Sequence, residues 1–312
     1  MQEIPSIDAL RVLPTPVAHA LALAFASAYV GAIYLDPSAR IRLRPPGSDG
    51  RSYGEQRTRD DPAVIRARLR AVSIASLVCC AGVGGAVWNL GDQTPLEALR
   101  ATYSLLGFPT LPLSHSLFSK DGIFLLLRTI RPHLLAPLWF LGPLYANWKQ
   151  GNMLTPYSLA ALVSDIKGLR NYVVAPLTEE IVFRSCILGV YRLARARFAW
   201  MVGVGPIFFG VAHLHHAYEL YVQGGRTRTA LRRAIFISLF QLAYTSLFGT
   251  FTGALLLRTH SLSPAFTAHA FCNVMGVPSI GDDMKSGFDV ALAYIVGIAG
   301  FIRDFGPWTA PA

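Results

Sequence analysis

Two adjacent carboxylates, Glu179 and Glu180, lie in an apolar run, residues 173–191, that is long enough for a membrane helix. A charged side chain at bilayer depth costs at least about 2.5–3.5 kcal/mol, so it normally has both a partner and a function. Arg184 follows Glu180 by four residues, which places the two side chains on one helix face and lets them pair. Glu179 is rotated about 100° from Glu180, so we expect its carboxylate to be available for chemistry.

Pro176 precedes the two acids by three residues. A proline fits the first turn of a helix, where its missing N–H costs nothing. We therefore expect the helix to begin near Pro176, which would place both acids close to the positive end of the helix dipole.

Three further polar groups interrupt the apolar sequence downstream: His213, the pair His215-His216, and His269 with Asn273 one helical turn later. Each has a structural explanation, such as a histidine bonded to a carbonyl or a hydrogen bond between helices. Taken together within about one hundred residues of the acids, they favour chemistry. A carboxylate and a histidine can act as a general base on water, and a second histidine with an asparagine can donate hydrogen bonds to an oxyanion. This set suits water attack on a carbonyl group.

Metal, serine and cysteine chemistry have weaker support. Two histidines and a carboxylate resemble a zinc site, but HExxH is absent and adjacent histidines chelate poorly. There is no GxSxG motif for a serine nucleophile. The sequence predicts no metal and no cofactor. The four cysteines lie in apolar segments without a CxxC spacing, and we expect them to act as small buried side chains: Cys79, Cys80, Cys186 and Cys272.

The composition predicts a membrane protein. Of 312 residues, 53% are hydrophobic and 15% are charged, whereas soluble domains carry about 25% charged residues. Several apolar stretches approach the ~20 residues that cross a bilayer as a helix. The fold class predicted is all-α: a polytopic bundle of about seven to eight spans with a polar catalytic cavity inside the membrane.

The predicted spans divide into two groups. Residues 1–150 form N-terminal spans around an arginine-rich loop, 36–70, and residues 151–312 form a catalytic core. The net charge of +10 is concentrated between spans, as the positive-inside rule describes, so we expect these loops in the cytoplasm and no nucleic-acid partner. The spans predicted are 17–35, 71–90, a broken one at 101–118, 134–148, 173–191, 198–214, 234–257 and 290–302, with an interfacial helix at 159–166. Glycines at 82, 84 and 85, and the pair Gly249 and Gly253, predict close helix packing.

Three segments carry a resemblance to a known family: APLTEEIVFRSCIL, FGVAHLHHAYE and HAFCNVMG. They are similar to the Glu-Glu-x-x-x-Arg, Phe-x-x-x-His and His-x-x-x-Asn motifs of the type II CAAX prenyl endopeptidases, in particular the eukaryotic Ras-converting branch. The similarity covers about residues 170–280.

The resemblance implies a metal-independent endopeptidase that removes the last three residues after a prenylated cysteine. It implies that Glu179 and His213 activate water, that His269 and Asn273 stabilise the oxyanion, and that Glu180 and Arg184 support the site. His216 is expected either to support the site or to pack.

The resemblance also implies partners and a location. The expected substrates are farnesylated or geranylgeranylated CAAX proteins such as Ras-like small GTPases, met among membrane lipids in the endoplasmic reticulum with the site open to the cytoplasm. Two other hypotheses stay open on the sequence: a non-enzymatic scaffold or chaperone for lipidated tails, and a transporter that uses the acids and histidines as a proton relay.

Overall fold

The structure is a computed structural model that describes residues 9–43, 57–108, 126, 128–153 and 155–310. Apart from an isolated bridge between Arg42 and Arg57, the regular structure in these residues is helical, which confirms the all-α prediction. The α-helices are α1 (Thr15–Leu35), α2 (Pro62–Leu90), α3 (Pro95–Leu105), α4 (Leu135–Trp139), α5 (Leu141–Lys149), α6 (Pro156–Leu162), α7 (Ile166–Leu169), α8 (Ala175–Glu180), α9 (Ile187–Leu193), α10 (Phe198–Ala212), α11 (His216–Gln223), α12 (Arg228–Thr259), α13 (Leu262–Met275), α14 (Ile280–Asp283) and α15 (Phe288–Trp308).

Among the described residues, four helical segments are long and apolar enough to cross a membrane: Thr15–Leu35, Pro62–Leu90, Phe198–Gln223 and Arg228–Thr259. Their outer faces carry large apolar side chains, such as Leu77, Phe236 and Leu247, that are 70–73% exposed. Such faces are stable against lipid rather than water. The prediction of a helical membrane bundle is confirmed, while the count of seven to eight spans stays a prediction.

The chain forms two compact units, residues 1–106 with 177–254 and residues 107–176 with 255–312. The division at residue 150 that the sequence suggested was a functional one, and it stays a prediction.

In the first unit, α1 packs against α2, α9 and α10. A Cβ added at Gly82 would lie 2.9 Å from Cε1 of Phe25, so the glycine lets α1 and α2 approach closely, as predicted. The segment before α1 is fixed by main-chain bonds: the Arg11 N–H donates to the Leu90 carbonyl (2.8 Å) and the Leu13 N–H to the Leu193 carbonyl (3.0 Å). The segment that leads into α1 is therefore bonded to the last residue of α2 and to the last residue of α9.

In the second unit, α15 packs against α4 and α5. The contact is close because Gly142 faces the ring of Tyr294, where an added Cβ would clash. At the end of α5, the Lys149 ammonium donates to the Asp289 carboxylate at 2.8 Å. The ring of Phe140, between α4 and α5, packs edge-on against Phe271 of α13 with centroids 5.5 Å apart.

Several predicted boundaries were wrong. The loop expected to run to Arg70 ends at Asp61, because Pro62 begins α2 at a position that favours proline. The single span expected at 134–148 is two short helices separated at Phe140, since Pro143 lacks the N–H that would continue the ladder. The interfacial helix expected at 159–166 lies at Pro156–Leu162. Most of the broken span expected at 101–118 lies outside the described residues.

Candidate active site

The predicted pair of Glu180 and Arg184 is present and buried. The Arg184 Nε lies 3.2 Å from Oε2 of Glu180, and the two side chains are 2% and 0% exposed. The same Nε donates to the Thr252 hydroxyl at 2.8 Å. Because a buried charge is costly unless it is paired and hydrogen-bonded, this pair holds its helix to α12.

The helical turns around the acids are wider than an α-helix. Ile181–Cys186 forms a π-helical turn, closed by a hydrogen bond from the Ile187 N–H to the Val182 carbonyl, five residues back. A second such turn, Arg170–Val174, precedes α8. Single π-turns inside helices occur often at functional sites.

The expectation for Pro176 was wrong. Helical turns begin at Ile166, so the proline lies inside the helical segment and not in its first turn. The π-turn before it explains how the helix continues: the Ala175 N–H donates to the Arg170 carbonyl, and the shifted register accommodates a residue without an N–H. The acids consequently do not lie at a helix N-terminus.

Phe209 links the ion pair to the first histidine. The Arg184 guanidinium carbon lies 4.1 Å from the centre of the Phe209 ring and 5.7 Å from that of Phe248. Phe209 also packs against His213: the two ring centroids are 4.6 Å apart, and the ring planes form an angle of 82°. A cation over an aromatic face is stabilised most where water is excluded, as it is here.

The hydrogen bond of His213 determines which ring nitrogen is available. Its Nδ1 lies 2.7 Å from the Phe209 carbonyl oxygen, and a carbonyl can only accept, so Nδ1 carries the proton. In the neutral ring, Nε2 is then an acceptor. A histidine held in this tautomer can accept a proton from water.

Glu179 is half-buried, in contrast to its buried neighbour Glu180. Its carboxylate interacts electrostatically with His213, with Arg184 and with the hydroxyl of Tyr29. The two residues expected to activate water, Glu179 and His213, therefore interact electrostatically within the first unit.

His215 and His216 follow at the turn between α10 and α11. The His215 Nδ1–H donates to the Ala212 carbonyl at 2.7 Å, and its ring lies 3.9 Å from that of His216. Nδ1 of His216 is 3.6 Å from the Glu219 carboxylate, and its ring centroid is 6.2 Å from that of His213. His216 is thus a neighbour of the His213 ring, and its choice between support and packing stays a prediction.

His269 and Asn273 belong to the second unit, on α13. His269 is buried, whereas Asn273 is exposed. The Asn273 amide donates to the Asn171 main-chain carbonyl at 2.9 Å, within the π-turn Arg170–Val174. An amide has two N–H donors, so one remains for another acceptor.

The sequence did not reveal two residues that bond to the site from distant helices, Thr252 and Tyr29. Thr252 lies 68 positions from Arg184, and the Tyr29 hydroxyl is 2.9 Å from the Thr178 hydroxyl, 149 positions away. The available signal was a hydroxyl in an otherwise apolar span. The Gly249-x-x-x-Gly253 pattern did predict closeness: a Cβ at Gly249 would lie 2.8 Å from Cβ of Pro206 and 3.4 Å from Nη2 of Arg184.

None of the four cysteine side chains forms a disulfide. Cys79 and Cys186 are buried, Cys80 and Cys272 are half-buried, and all four are free thiols. Within the described part of the chain, no group of three His, Cys, Asp or Glu side chains is arranged to hold a metal ion.

A family model described as type II CAAX prenyl endopeptidase Rce1-like matches residues 162–275. The chain is 30% identical over 286 residues to the probable CAAX prenyl protease 2 of Schizosaccharomyces pombe, covering 91% of this chain and 90% of that protein. It is 31% identical over 307 residues to the human CAAX prenyl protease 2, covering 93% and 80%. The Arabidopsis thaliana protein of the same name is 36% identical over 156 residues, half of each chain. No solved structure gives a significant match.

Proposed function

Because this chain belongs to the type II CAAX prenyl endopeptidase family, we propose that Glu179 and His213 activate the water that cleaves its substrate. The chain is a membrane protease of prenylated CAAX proteins. Its relatives are proteases, so a scaffold that only binds lipidated tails is not favoured.

The observation that supports this role most directly is the hydrogen bond from Nδ1 of His213 to the Phe209 carbonyl. It leaves Nε2 as an acceptor, and the Glu179 charge acts on the same ring. A water molecule would give a proton to this pair as its oxygen attacks the carbonyl carbon. The proton then passes to the leaving amine as the C–N bond breaks, which yields a new carboxylate on the prenylated cysteine and a free tripeptide.

His269 and Asn273 are proposed as donors to the oxyanion that forms during this attack. Preorganised donors act where charge develops, and removing one typically lowers kcat by about 10²–10³. Asn273 is oriented by its bond to the Asn171 carbonyl, which supports a fixed donor geometry.

Glu180 and Arg184 are proposed as supporting residues. Their side chains are buried and form an ion pair, and Arg184 also contacts Thr252 and Phe209. Through Phe209 they position the carbonyl that holds His213.

The substrates proposed are farnesylated or geranylgeranylated proteins of the Ras-like GTPase type, in contact with membrane lipids. We further propose that the protein resides in the endoplasmic reticulum membrane with its site open to the cytoplasm, because the substrate peptide is polar and the basic loops favour that side.

The test is cleavage of a farnesylated CAAX reporter peptide by the purified protein in detergent. Glu179→Ala and His213→Ala should each lower kcat by at least about 10³, since a missing general base and water-positioning group cannot be replaced by solvent. A histidine control is His260→Asn, because His260 is exposed in a left-handed conformation that asparagine tolerates.

Full activity in either alanine variant, with native thermal stability, would overturn the proposed roles. Activity that survives EDTA and o-phenanthroline is expected for a metal-independent reaction. Activity lost to the chelators and restored by zinc would instead reassign the histidines as ligands.

A further inference from the structure

Tyr29 lies inside the first apolar helix and is buried against the helical segment that carries the acids. It is 8% exposed, whereas Tyr34 on the same helix is 42% exposed. A buried tyrosine normally finds a hydrogen-bond partner for its hydroxyl. The Tyr29 hydroxyl lies 2.9 Å from the Thr178 hydroxyl, and both groups are buried. Because the surroundings exclude water, this bond is stronger than the same bond at the surface.

The bond from α1 reaches the acid helix directly beside the proposed catalytic carboxylate. Successive residues of an α-helix are 100° apart, so Glu179 lies between Thr178 and Glu180 around the axis of α8. On one side of it, Thr178 is bonded to Tyr29 of α1. On the other side, Glu180 is paired with Arg184, which is bonded to α12. The two contacts together fix the rotation of α8 about its axis.

This rotation determines where the Glu179 carboxylate lies. An α-helix with its side chains has a radius of about 5–6 Å, so a rotation of about 10° moves a terminal carboxylate by about 1 Å. A misplacement of about 1 Å can lower a reaction rate by about 10². α8 has only six residues, and a π-turn follows it directly. Its own main-chain ladder is short, so the lateral contacts hold its orientation.

The ring of Tyr29 connects to the catalytic histidine. It packs edge-on against Phe183, with centroids 5.6 Å apart and an angle of 80°. Phe183 packs against Phe209 at 5.1 Å, and Phe209 packs against His213. The Glu179 charge also acts on the Tyr29 hydroxyl. Tyr29 is therefore joined to the acid helix through its hydroxyl and to His213 through a row of rings.

We propose that Tyr29 is a positioning residue, which acts through the Thr178 hydroxyl to hold the Glu179 carboxylate in the orientation that activates water. In this role its hydroxyl contacts Thr178 rather than the reacting atoms. The inference rests on the proposed function of Glu179 and His213. It also gives a function to α1, which lies outside the residues 162–275 that match the family model.

Another hydrogen bond between α1 and the same helical segment provides a matched control. Nδ1 of His19 lies 2.9 Å from the Tyr191 hydroxyl, the same length as the bond between Tyr29 and Thr178. Tyr191 is also buried, at 1% exposed. It follows Thr178 by thirteen positions, about 20 Å along a helix. Loss of either bond loosens α1, whereas only the loss of the Tyr29 bond frees the helix beside Glu179.

The first test compares Tyr29→Phe with Tyr191→Phe in cleavage of the farnesylated reporter by the purified full chain. Each variant loses one hydroxyl and keeps its ring. Tyr29→Phe should lower kcat at least about tenfold with KM within about twofold of native, and Tyr191→Phe should keep both constants within about twofold. The two melting temperatures should fall by similar amounts, since each variant loses one hydrogen bond. A native kcat in Tyr29→Phe, or equal kcat losses in the two variants, would overturn the inference.

The second test keeps Tyr29 and changes its partner. Thr178→Val replaces the hydroxyl by a methyl group and should lower kcat about as much as Tyr29→Phe. Thr178→Ser keeps a hydroxyl and should retain most of the kcat that the valine variant loses. The double variant Tyr29→Phe with Thr178→Val should be no slower than the slower single variant, because both changes remove the same bond. Two kcat losses that multiply in the double variant would show independent roles and contradict the inference.

The Glu179→Ala variant separates this inference from the catalytic proposal. If Glu179→Ala is inactive while Tyr29→Phe has the native kcat, the positioning role is refuted and the catalytic proposal stands. If Glu179→Ala is fully active, the catalytic proposal fails, and the inference fails with it whatever the kcat of Tyr29→Phe.

Discussion

The two groups of predicted catalytic residues are built in different ways. In the first unit, Glu180, Arg184, Phe209 and His213 form one chain of buried or half-buried contacts, in which Arg184 joins two further helices through Thr252 and Phe209. In the second unit, His269 and Asn273 share one helix, and Asn273 is exposed with its amide on a main-chain carbonyl. We therefore expect changes in the first group to lower stability and activity together, and changes in the second group to lower activity with a smaller loss of stability.

The largest effect is expected for Arg184→Ala. Removing one partner of a buried ion pair leaves the other charged and uncompensated, which destabilises a protein by about 3–5 kcal/mol. The free energy of unfolding in detergent should fall by that amount, and cleavage of the reporter should be lost with it.

A double variant separates the charge from the packing. Glu180→Gln with Arg184→Met keeps most of the side-chain volume and removes both charges, so most of the lost stability should return. If Arg184→Ala unfolds at the native temperature, the pair does not stabilise the first unit, and the contrast between the two units fails.

The next effect in size is expected for His269→Ala. Loss of an oxyanion donor should lower kcat by about 10²–10³, equivalent to about 2.7–4 kcal/mol of transition-state stabilisation. The KM should change little, because the interaction forms only as the carbonyl becomes tetrahedral. Steady-state kinetics with the farnesylated reporter measure both constants.

Stability distinguishes His269→Ala from Arg184→Ala. The melting temperature of the His269 variant should stay closer to native than that of the Arg184 variant. A drop in stability as large as that of Arg184→Ala, with kcat per folded molecule unchanged, would mean that His269 is a structural residue of α13.

The parts of the site that could be predicted from sequence are the local ones. The pairing of Glu180 with Arg184 follows from a spacing of four, and the pattern Gly249-x-x-x-Gly253 indicated a close approach. The start of the helix was mispredicted at Pro176 because π-turns shift the hydrogen-bond register, and single-sequence patterns carry no signal for them. Thr252 could not be predicted as the partner of Arg184, because a contact across 68 residues depends on how the helices pack.

Whole helices were likewise predicted well only where the sequence signal was local and uniform. Apolar runs located α1, α10 and α12 well because their composition is uniform over a membrane thickness. The region around Phe140 was expected to be one span because it is apolar throughout, and only the missing N–H of Pro143 indicates the break.

The smallest effect is expected for Phe209→Leu, which tests whether the Phe209 ring couples the Glu180–Arg184 pair to His213. Leucine keeps much of the apolar volume and the main-chain carbonyl that accepts from Nδ1 of His213. It removes the ring 4.1 Å from the Arg184 guanidinium, and a desolvated cation–π contact contributes about 2 kcal/mol. The free energy of unfolding should fall by about that amount while kcat falls less than tenfold.

Phe248→Leu is the matched control: its ring is 5.7 Å from the same guanidinium, so its substitution should lower the free energy of unfolding by less. A kcat loss of a hundredfold or more in Phe209→Leu, with Phe248→Leu near native, would make the Phe209 ring itself part of the catalytic geometry, and the first unit could then not be described as a stabilising scaffold around Glu179 and His213.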